Sequence, residues 1–368
     1  MQEITYVFKK GRKNKYQSGS IEAKELYYGL PLFSDNYKIN VIEFEEEPKN
    51  INKKFMNLFD RFMSKFISLP FYTEKILTRK NFRVLKGSKN IILVTESVGC
   101  SLLPFLLYLR LFNKTNVSIF IMGLYSKKIR YKKMERIHNF FIKLLIFTVD
   151  QVFFLGKGEL KKAKKLHKQN DKLIYFPFSV DTDFWSSETI NLGENESIIF
   201  VGTDSNKDQD LLISIAASFP EIKFLFISNL PKLKNLDMEN VEVINGEWGN
   251  SNLSDKILRE KYLNSRLSIV PLVETYQPSG QSVALQSMSL GLPVIISKTK
   301  GFWDEDSFND NENILFVTDN TPEGWNNIIN KAYNDIKLLK EISEKSKETI
   351  SKYLTLDKFH EKLLMYLK

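Results

Sequence analysis

The chain has 368 residues, 43% of them hydrophobic and 26% charged, which is the composition of a globular protein long enough for two domains. Its one cysteine, Cys100, excludes an internal disulfide and a cysteine-rich zinc site and fits a reducing compartment. The N-terminus has no signal-peptide core, and no apolar run approaches the roughly 20 residues that cross a bilayer, so we expect a cytoplasmic protein.

The net charge of +9 is divided unevenly along the chain. Residues 1–180 contain 34 Lys and Arg against 15 Asp and Glu, whereas residues 181–368 contain 19 against 29. The halves therefore carry +19 and −10, which suggests two domains with different partners. A basic half is typical of binding to nucleic acid, an anionic membrane surface or an anionic acceptor, and solvated lysine-rich faces give the same composition.

In the first half, strand patterns alternate with helix patterns. The predicted strands are Ile4–Phe8, Ile39–Phe44, Ile91–Thr95, Val117–Met122, Gln151–Leu155 and Lys172–Phe176. The predicted helices are Ile21–Leu30, Lys53–Tyr72, Lys127–Phe147 and Gly158–His167, with a long polar loop at Lys9–Ser20. The alternation predicts a parallel sheet whose ligands bind at the carboxyl ends of the strands. Loops at Glu96–Gly99 and Gly123–Ser126, each followed by a helix, leave two of these ends and make Glu96 and Tyr125 acceptor-side candidates. There is no GxGxxG sequence, so a dinucleotide is not supported.

Two features of this half have competing interpretations. The Lys53–Tyr72 pattern combines aromatic and basic residues, which suits either a helix on a membrane surface or a helix packed on the core. His138 and His167 lie in lysine-rich helix patterns, which favours solvated helix positions over catalysis.

The second half begins after a predicted hinge at Phe178–Trp185. Its predicted strands are Ser197–Val201, Lys223–Ile227, Val241–Asn245, Leu267–Val270 and Val294–Ile296. Its predicted helices are Asp208–Ala217, Asp255–Asn264, Gln281–Leu290, Thr321–Asn334, Asp335–Tyr353 and Leu356–Leu367. The sequence thus predicts two doubly wound α/β domains joined by one linker, with a cleft between their facing loops.

The loop before Gln281–Leu290 has the features of an anion site. Ser279, Gly280, Gln281 and Ser282 stand where the helix begins, and the first backbone N–H groups of a helix have no partner inside it. Gly280 allows a ligand to approach the backbone, and the helix dipole favours an anion. A phosphate could bind here, although an ordinary capped helix has the same pattern.

Four segments in this half resemble the donor domain of GT-B-fold glycosyltransferases, above all the retaining family 4, also called glycosyltransferase group 1. They are IIFVG (Ile198–Gly202) with Lys207 after it, the linker PFSVDTDFW, QSMSLGLPVI (Gln286–Ile295) and NENILFV (Asn311–Val317). They occur in the family's order over residues 172–335.

The resemblance implies a GT-B fold with an acceptor-binding domain at residues 1–178 and a nucleotide-sugar-binding domain at 179–354. It also implies that a C-terminal helix, 355–368, crosses back to the first domain. The implied activity is retaining transfer of a sugar from a nucleotide diphosphate sugar to a saccharide or lipid-linked acceptor. We expect this to serve surface glycan synthesis, such as that of lipopolysaccharide, at the inner face of a membrane. No nucleic acid partner and no required metal or other cofactor are expected.

The resemblance also implies roles for individual residues. The donor-binding candidates are Gly202, Thr203, Lys207, Ser279, Gly280, Gln281, Ser282 and Gln286, and the catalytic candidates are Lys207, Glu274 and Glu96. Lys207 would offset the charge of the departing diphosphate. The chain departs from the family in having no Arg in Thr203–Asn206 and in having Gln286 in place of the second glutamate of the family's Glu-x7-Glu pair. Pro278 holds the position of the first glutamate, so Glu274 could serve only if the loop is longer.

Other patterns keep two alternatives open. Three Asp-x-Asp triplets, at Asp181–Asp183, Asp208–Asp210 and Asp304–Asp306, are too weak a pattern to predict a metal. The alternatives are a nucleotide-sugar epimerase on the same fold and a non-catalytic protein that binds an anionic polymer.

Overall fold

A computed structural model describes residues 2–46, 53–188, 190–246 and 253–368 of the chain. The chain divides into two compact units. The N-terminal unit comprises Met1–Ile21, Tyr27–Phe176 and His360–Lys368, and the C-terminal unit comprises Glu22–Leu26 and Pro177–Phe359. Each unit contains one six-stranded sheet within the described residues.

The sheet of the N-terminal unit is wholly parallel, in the order β2-β1-β3-β4-β5-β6. Its strands are β1 (Gln2–Val7), β2 (Tyr37–Ile42), β3 (Asn90–Val94), β4 (Asn116–Ile121), β5 (Gln151–Phe154) and β6 (Leu173–Tyr175). Every residue of β3 and β4 is buried, as expected for central strands of a parallel sheet that helices cover on both faces. The sheet therefore forms the centre of this unit's core.

The longer segments between these strands are helical. The helices are α1 (Lys13–Gln17), α2 (Lys53–Phe62), α3 (Arg79–Gly87), α4 (Glu96–Phe112), α5 (Glu135–Thr148) and α6 (Lys157–Leu166). Helix α4 packs closely on the sheet, since a Cβ atom on its Gly99 would overlap Cδ1 of Ile119. At the C-terminus of the chain, the backbone N–H of Lys368 and the carbonyl of Tyr366 bond to the side chains of Asn90 and Asn116.

The sheet of the C-terminal unit is also parallel, in the order β9-β8-β7-β10-β11-β12. Its strands are β7 (Ser197–Val201), β8 (Phe224–Ile227), β9 (Val241–Ile244), β10 (Ser265–Val270), β11 (Val294–Ser297) and β12 (Leu315–Val317). Its helices are α7 (Gln209–Ser218), α8 (Asp255–Leu263), α9 (Gln281–Leu290), α10 (Pro322–Asn334) and α11 (Ile336–Tyr353). The last helix, α12 (Leu356–Leu364), is divided between the two units after Phe359. The strand order is that of the Rossmann fold, with the direction of winding reversing between β7 and β10.

Helix α9 is almost wholly buried within this unit. It begins and ends at the predicted residues, and nine of its ten residues are buried. Gly280 precedes it with φ 75° and Gly291 follows it with φ 84°, both in the left-handed region that glycine tolerates best. Two glycines therefore fix the ends of the helix that the sequence pattern singled out.

The fold-class prediction of two doubly wound α/β domains is confirmed, but several element predictions in the N-terminal half are wrong. Ile21–Leu30 contains only short 3₁₀ turns, because Tyr28 and Gly29 both have positive φ and end any helix. The Lys53–Tyr72 helix stops at Phe62, followed by one π-helical turn at Met63–Ile67. The predicted Lys127–Phe147 helix begins only at Glu135. Helix α1 lies in the segment predicted as a polar loop, and helix α3 was not predicted.

Candidate active site

The candidate site of the C-terminal unit lies where the winding of its sheet reverses. The loop after β7 and the loop after β10 leave adjacent strands at their carboxyl ends, which is where open α/β sheets bind ligands. The two loops are paired directly: Lys207 and Leu272 form an antiparallel bridge, and the N–H of Val273 donates to the carbonyl of Asn206 at 2.9 Å. Residues far apart in the sequence thus line one crevice.

A small cavity opens at this point, with a volume of about 110 Å³. Its described lining comprises Val201, Gly202, Thr203, Asp204, Lys207, Ile227, Gly246, Leu253, Gly280, Ser282 and Val283. Five of the predicted donor-binding residues are among them: Gly202, Thr203, Lys207, Gly280 and Ser282. The loop after β7 and the first turn of α9 therefore meet as the sequence predicts.

Lys207 holds its ammonium group inside this cavity. Its side chain is only 2% exposed, and its aliphatic part lies against Gly202, where a Cβ atom would be 2.5 Å from Cε. A Cβ atom on Gly280 would lie 3.6 Å from Nζ, so the ammonium points toward the start of α9. Burial lowers the pKa of Lys207, and the nearby carboxylate of Asp204, 3.1 Å from Nζ, opposes that shift. Position 202 must therefore be glycine for the Lys207 side chain to keep this position, because any Cβ atom there would overlap it.

Side-chain hydrogen bonds fix the two loops to each other. Nδ2 of Asn206 donates to Oγ of Ser279 at 2.8 Å, which joins the loop after β7 to the turn before α9. Oγ of Ser297, at the end of β11, accepts the N–H of Leu272 and donates to Oδ1 of Asn320. Ser279 therefore contributes to the site by holding Asn206 and not by lining the cavity. The sequence analysis did not select Asn206 as a candidate.

Gln286 has a different environment from the other candidates. It is fully buried, and its Nε2 donates to Oε1 of Glu25 at 2.8 Å. The same oxygen accepts Nε1–H of Trp185 at 2.8 Å. Burial raises the pKa of Glu25 to about 7. The structure therefore places Gln286 in a buried polar cluster rather than among the cavity-lining residues, and its donor-binding role stays a prediction.

Two more candidates lie outside the cavity lining. Oε1 of Glu274 accepts the backbone N–H of Lys300 at 3.0 Å, which gives this carboxylate a local structural contact. Gln281 is buried at the first position of α9. The catalytic role of Glu274 and the donor-binding role of Gln281 likewise stay predictions.

The N-terminal unit supplies the remaining catalytic candidate, Glu96. It was expected in a loop but is the first residue of α4, where it is mostly buried. Oε2 accepts the N–H of Met122 at 3.1 Å, and Oε1 is 3.7 Å from Nζ of Lys127. Thr95, just before it, is a β-branched residue with φ 101°, a conformation that costs about 1–3 kcal/mol and clusters at functional sites.

Glu159 is a buried carboxyl next to this region that the sequence analysis missed. It accepts the N–H groups of Gly123 and Tyr125 at 3.0 and 2.9 Å, and burial raises its pKa to about 8. Its position in a Lys-rich helix gave no signal, because only the folded chain brings the loop after β4 onto α6. It orders that loop through two hydrogen bonds.

The two histidines predicted as solvated are instead held by specific contacts. His138 is 4% exposed, with Nδ1 2.7 Å from the carbonyl oxygen of Ile67. His167 is paired through Nε2 with the hydroxyl of Tyr125 at 2.8 Å. His138 is buried on the inner face of α5, whereas His167 is half-buried just after the end of α6.

The Asp-x-Asp triplets have structural roles. Asp208 caps α7 by accepting the N–H of Leu211, and Asp181 accepts the N–H of Lys24. Asp304 accepts the N–H of Asp306. Among the described residues, no group of three or more His, Cys, Asp or Glu side chains is arranged to hold a metal ion. No described helix is both long and apolar enough to cross a membrane.

Comparison with known families identifies the C-terminal unit. Residues 181–349 match the family described as "Glycosyl transferases group 1". These residues make up most of the C-terminal unit, which therefore resembles the group 1 glycosyl transferases. The family resemblance recognised from the sequence motifs is confirmed, and the chain is a glycosyltransferase. No curated protein sequence matches the chain.

Solved structures with the same GT-B fold match this chain over its whole length. Sucrose-phosphate synthase from Thermosynechococcus elongatus is 13% identical, with a TM-score of 0.71 over 99% of this chain and 98% of that one. HepE from Anabaena, in complex with UDP and glucose, is 11% identical, with a TM-score of 0.71 over 100% and 99%. An alpha-glucosyltransferase in complex with UDP-glucose and DNA is 11% identical, with a TM-score of 0.62 over 100% and 99%. At these identities the likeness concerns the fold.

Proposed function

We propose that this glycosyltransferase moves a hexosyl group from a UDP-sugar to a saccharide or lipid-linked acceptor, with retention of configuration, in surface glycan synthesis. The observation that carries the proposal is the buried Lys207 ammonium, aimed at the N-terminus of α9 across the reversal point of the sheet. A lysine and a helix N-terminus together bind a diphosphate and stabilise it as a leaving group. Two structural neighbours were solved with UDP or UDP-glucose, which supports UDP as the nucleotide here.

The donor site is tested by calorimetric titration of the full chain with UDP, GDP, CDP, ADP and dTDP, each with and without EDTA. We expect UDP to bind best and EDTA to have no effect. Lys207→Met keeps the buried aliphatic stem but removes the charge, so it should weaken UDP binding by about 10- to 100-fold. Lys232→Met, which removes an exposed lysine paired with Asp210, is the matched control. A folded protein that binds none of the nucleotides would contradict the proposal.

Glu96 is proposed as the catalytic group of the N-terminal unit. Glu96→Gln keeps an oxygen that can accept the N–H of Met122, so the loop after β4 should stay in place. We expect sugar transfer to fall by about 100-fold or more while the Kd for UDP is unchanged. Glu135→Gln, at the start of α5, is the control. Full activity of the Glu96→Gln enzyme would exclude this role.

Retention is tested without knowing the acceptor, by following hydrolysis of UDP-glucose by NMR. A retaining enzyme releases α-glucose first from the α-linked donor, before mutarotation mixes the anomers. Initial release of β-glucose would show that the enzyme inverts.

We also propose that the N-terminal unit docks on an anionic membrane surface through α2. Phe55, Leu58 and Phe62 are 72%, 68% and 46% exposed, and Arg61 and Lys65 belong to the same helical segment. Exposed aromatic and aliphatic side chains beside cations suit the interface of an anionic bilayer, and the +19 charge of residues 1–180 adds long-range attraction. This docking would place the enzyme at the inner face of the membrane, beside a lipid-linked acceptor.

Sedimentation with vesicles of phosphatidylglycerol and phosphatidylcholine tests the docking. The double variant Phe55→Ser, Leu58→Ser should lose most of its binding, and high salt should weaken binding of the unchanged protein. Leu111→Ser, Phe112→Ser removes a comparably exposed pair, 63% and 73%, from the end of α4 and serves as the control. Equal binding by all three proteins would contradict docking through α2.

A further inference from the structure

The cavity at the start of α9 contains a matched pair of opposite charges. Among its described lining residues, Lys207 carries the positive charge and Asp204 the negative charge. Nζ of Lys207 and Oδ2 of Asp204 are 3.1 Å apart. The side chain of Asp204 is 45% exposed, whereas that of Lys207 is 2% exposed, so the carboxylate lies on the open side of the pair. The net charge that these two residues offer to an incoming anion is zero.

Local hydrogen bonds hold the Asp204 carboxylate where it is. Oδ1 accepts the backbone N–H of Asn206 at 3.0 Å, and the carbonyl of Asp204 accepts the N–H of Lys207 at 3.2 Å. Asn206 is itself held by Ser279 on the opposite loop. The carboxylate therefore cannot turn away from Lys207 without losing its hydrogen bond to Asn206.

We propose that Asp204 competes with the donor diphosphate for Lys207 and thereby sets a low affinity for nucleotide. The inference rests on the proposed function, since it concerns the same diphosphate. The ammonium of Lys207 has three N–H donors and can bond to a phosphate while it stays bonded to Asp204, but the phosphate then faces a fixed like charge a few ångströms away. Asp204 opposes binding of the donor and of the nucleoside diphosphate product alike, because both carry the diphosphate. A weaker product complex dissociates faster, so Asp204 favours release of the spent nucleotide.

Asp204→Asn separates the charge of this residue from its structural role. Asparagine keeps an oxygen for the N–H of Asn206 and forms the same kind of turn, but it carries no charge. Asp210→Asn is the matched control, because it removes a 75% exposed carboxylate that is paired with Lys232 outside the cavity lining. Both variants change the net charge of the C-terminal unit equally.

The experiment is calorimetric titration of the full-length protein and both variants with UDP, in EDTA, at low and at high ionic strength. We expect Asp204→Asn to bind UDP about tenfold more tightly than the unchanged protein and Asp210→Asn to bind it about equally. The gain should shrink at high salt, because salt screens a partly exposed charge, whereas a purely structural change would not respond in this way. Stopped-flow displacement should show slower release of UDP from the Asp204→Asn variant.

Three outcomes would overturn the inference. Weaker or unchanged UDP binding by Asp204→Asn, with normal binding by the unchanged protein, would show that Asp204 orients Lys207 rather than competing for it; the donor site itself would stand. Binding that requires Mg²⁺ in the unchanged protein but not in Asp204→Asn would make Asp204 a metal ligand instead. Absence of UDP binding by all three proteins would refute the proposed donor site and this inference with it.

Discussion

Replacing Glu25 with glutamine should make the C-terminal unit more stable at high pH. Glu25 is 2% exposed, and its Oε1 accepts hydrogen bonds from Trp185 and Gln286. Neither Oε2 of Glu25 nor Oε1 of Gln286 has a hydrogen-bond partner among the described residues. Burial raises the pKa of Glu25, and the negative charge of Asp255 raises it further. Burial also raises the pKa of Tyr262, and the charge of Glu25 adds to that increase. Glutamine keeps the accepting oxygen Oε1 and has an NH₂ group in place of Oε2. The cluster therefore keeps its two hydrogen bonds and loses its titratable group.

The size of the effect follows from the pKa of Glu25, which burial raises from 4.5 to about 7. A carboxyl with a raised pKa is protonated in the folded state over a range in which the unfolded chain is already ionised. Its contribution to the free energy of unfolding therefore falls as pH rises from the unfolded pKa to the folded pKa and is constant above. The full shift corresponds to about 3 kcal/mol, most of which is lost between pH 5 and pH 8.

Urea unfolding followed by tryptophan fluorescence measures this difference. All four tryptophans of the chain lie within Pro177–Phe359, so the signal follows the C-terminal unit. We expect the free energy of unfolding of Glu25→Gln, relative to the unchanged protein, to rise by about 2–3 kcal/mol from pH 5 to pH 8. Glu22→Gln, which removes a carboxylate from the same segment of chain, is the control. A difference between Glu25→Gln and the unchanged protein that is the same at both pH values would refute the reasoning.

Three substitutions test the packing that positions the site. Gly280→Ala would force a residue with a Cβ into φ 75° with that atom 2.5 Å from Cγ1 of Val270, so UDP affinity by calorimetry should fall about tenfold or more; an unchanged Kd would mean that the turn adapts. Gly99→Ala would press a methyl group against Ile119 and should lower the free energy of unfolding by about 1–3 kcal/mol in urea, with UDP binding retained. Ser297→Ala would leave a buried backbone N–H unbonded, and thermal unfolding should show a loss of about 1–3 kcal/mol; a loss below the error of the measurement would contradict the assigned hydrogen bond.

The sequence alone predicted the architecture and the start of the site. Buried strands of a parallel sheet are continuous apolar runs, and the glycines at the ends of α9 have local signatures, so both could be read from neighbouring residues. The pairing of Gly202 and Lys207 with Gly280 could also be expected. These residues lie in the loops after β7 and β10, which leave one sheet at the same edge, and the family motifs occur in the family's order.

The local patterns failed where the backbone responds to distant contacts. Ile21–Leu30 has helical periodicity, yet Glu22–Leu26 belongs to the C-terminal unit, where Oε2 of Glu22 accepts the N–H of Lys256 and Asp181 accepts the N–H of Lys24. These hydrogen bonds join residues more than 150 positions apart, so they produce no periodic pattern in the local sequence. The helix predicted at Ile21–Leu30 was wrong partly for this reason.

The charges of the site depend on the tertiary structure in the same way. Composition determined that residues 1–180 are basic, and a short motif determined that a lysine follows the first strand of the C-terminal unit. Only the fold decided that this lysine is buried against Gly202 and paired with Asp204, and that Gln286 bonds to Glu25 rather than lining the cavity. Burial and pairing set the pKa and the free charge of an ionisable group, and both depend on which residues are close in space, which the order of residues along the chain does not give.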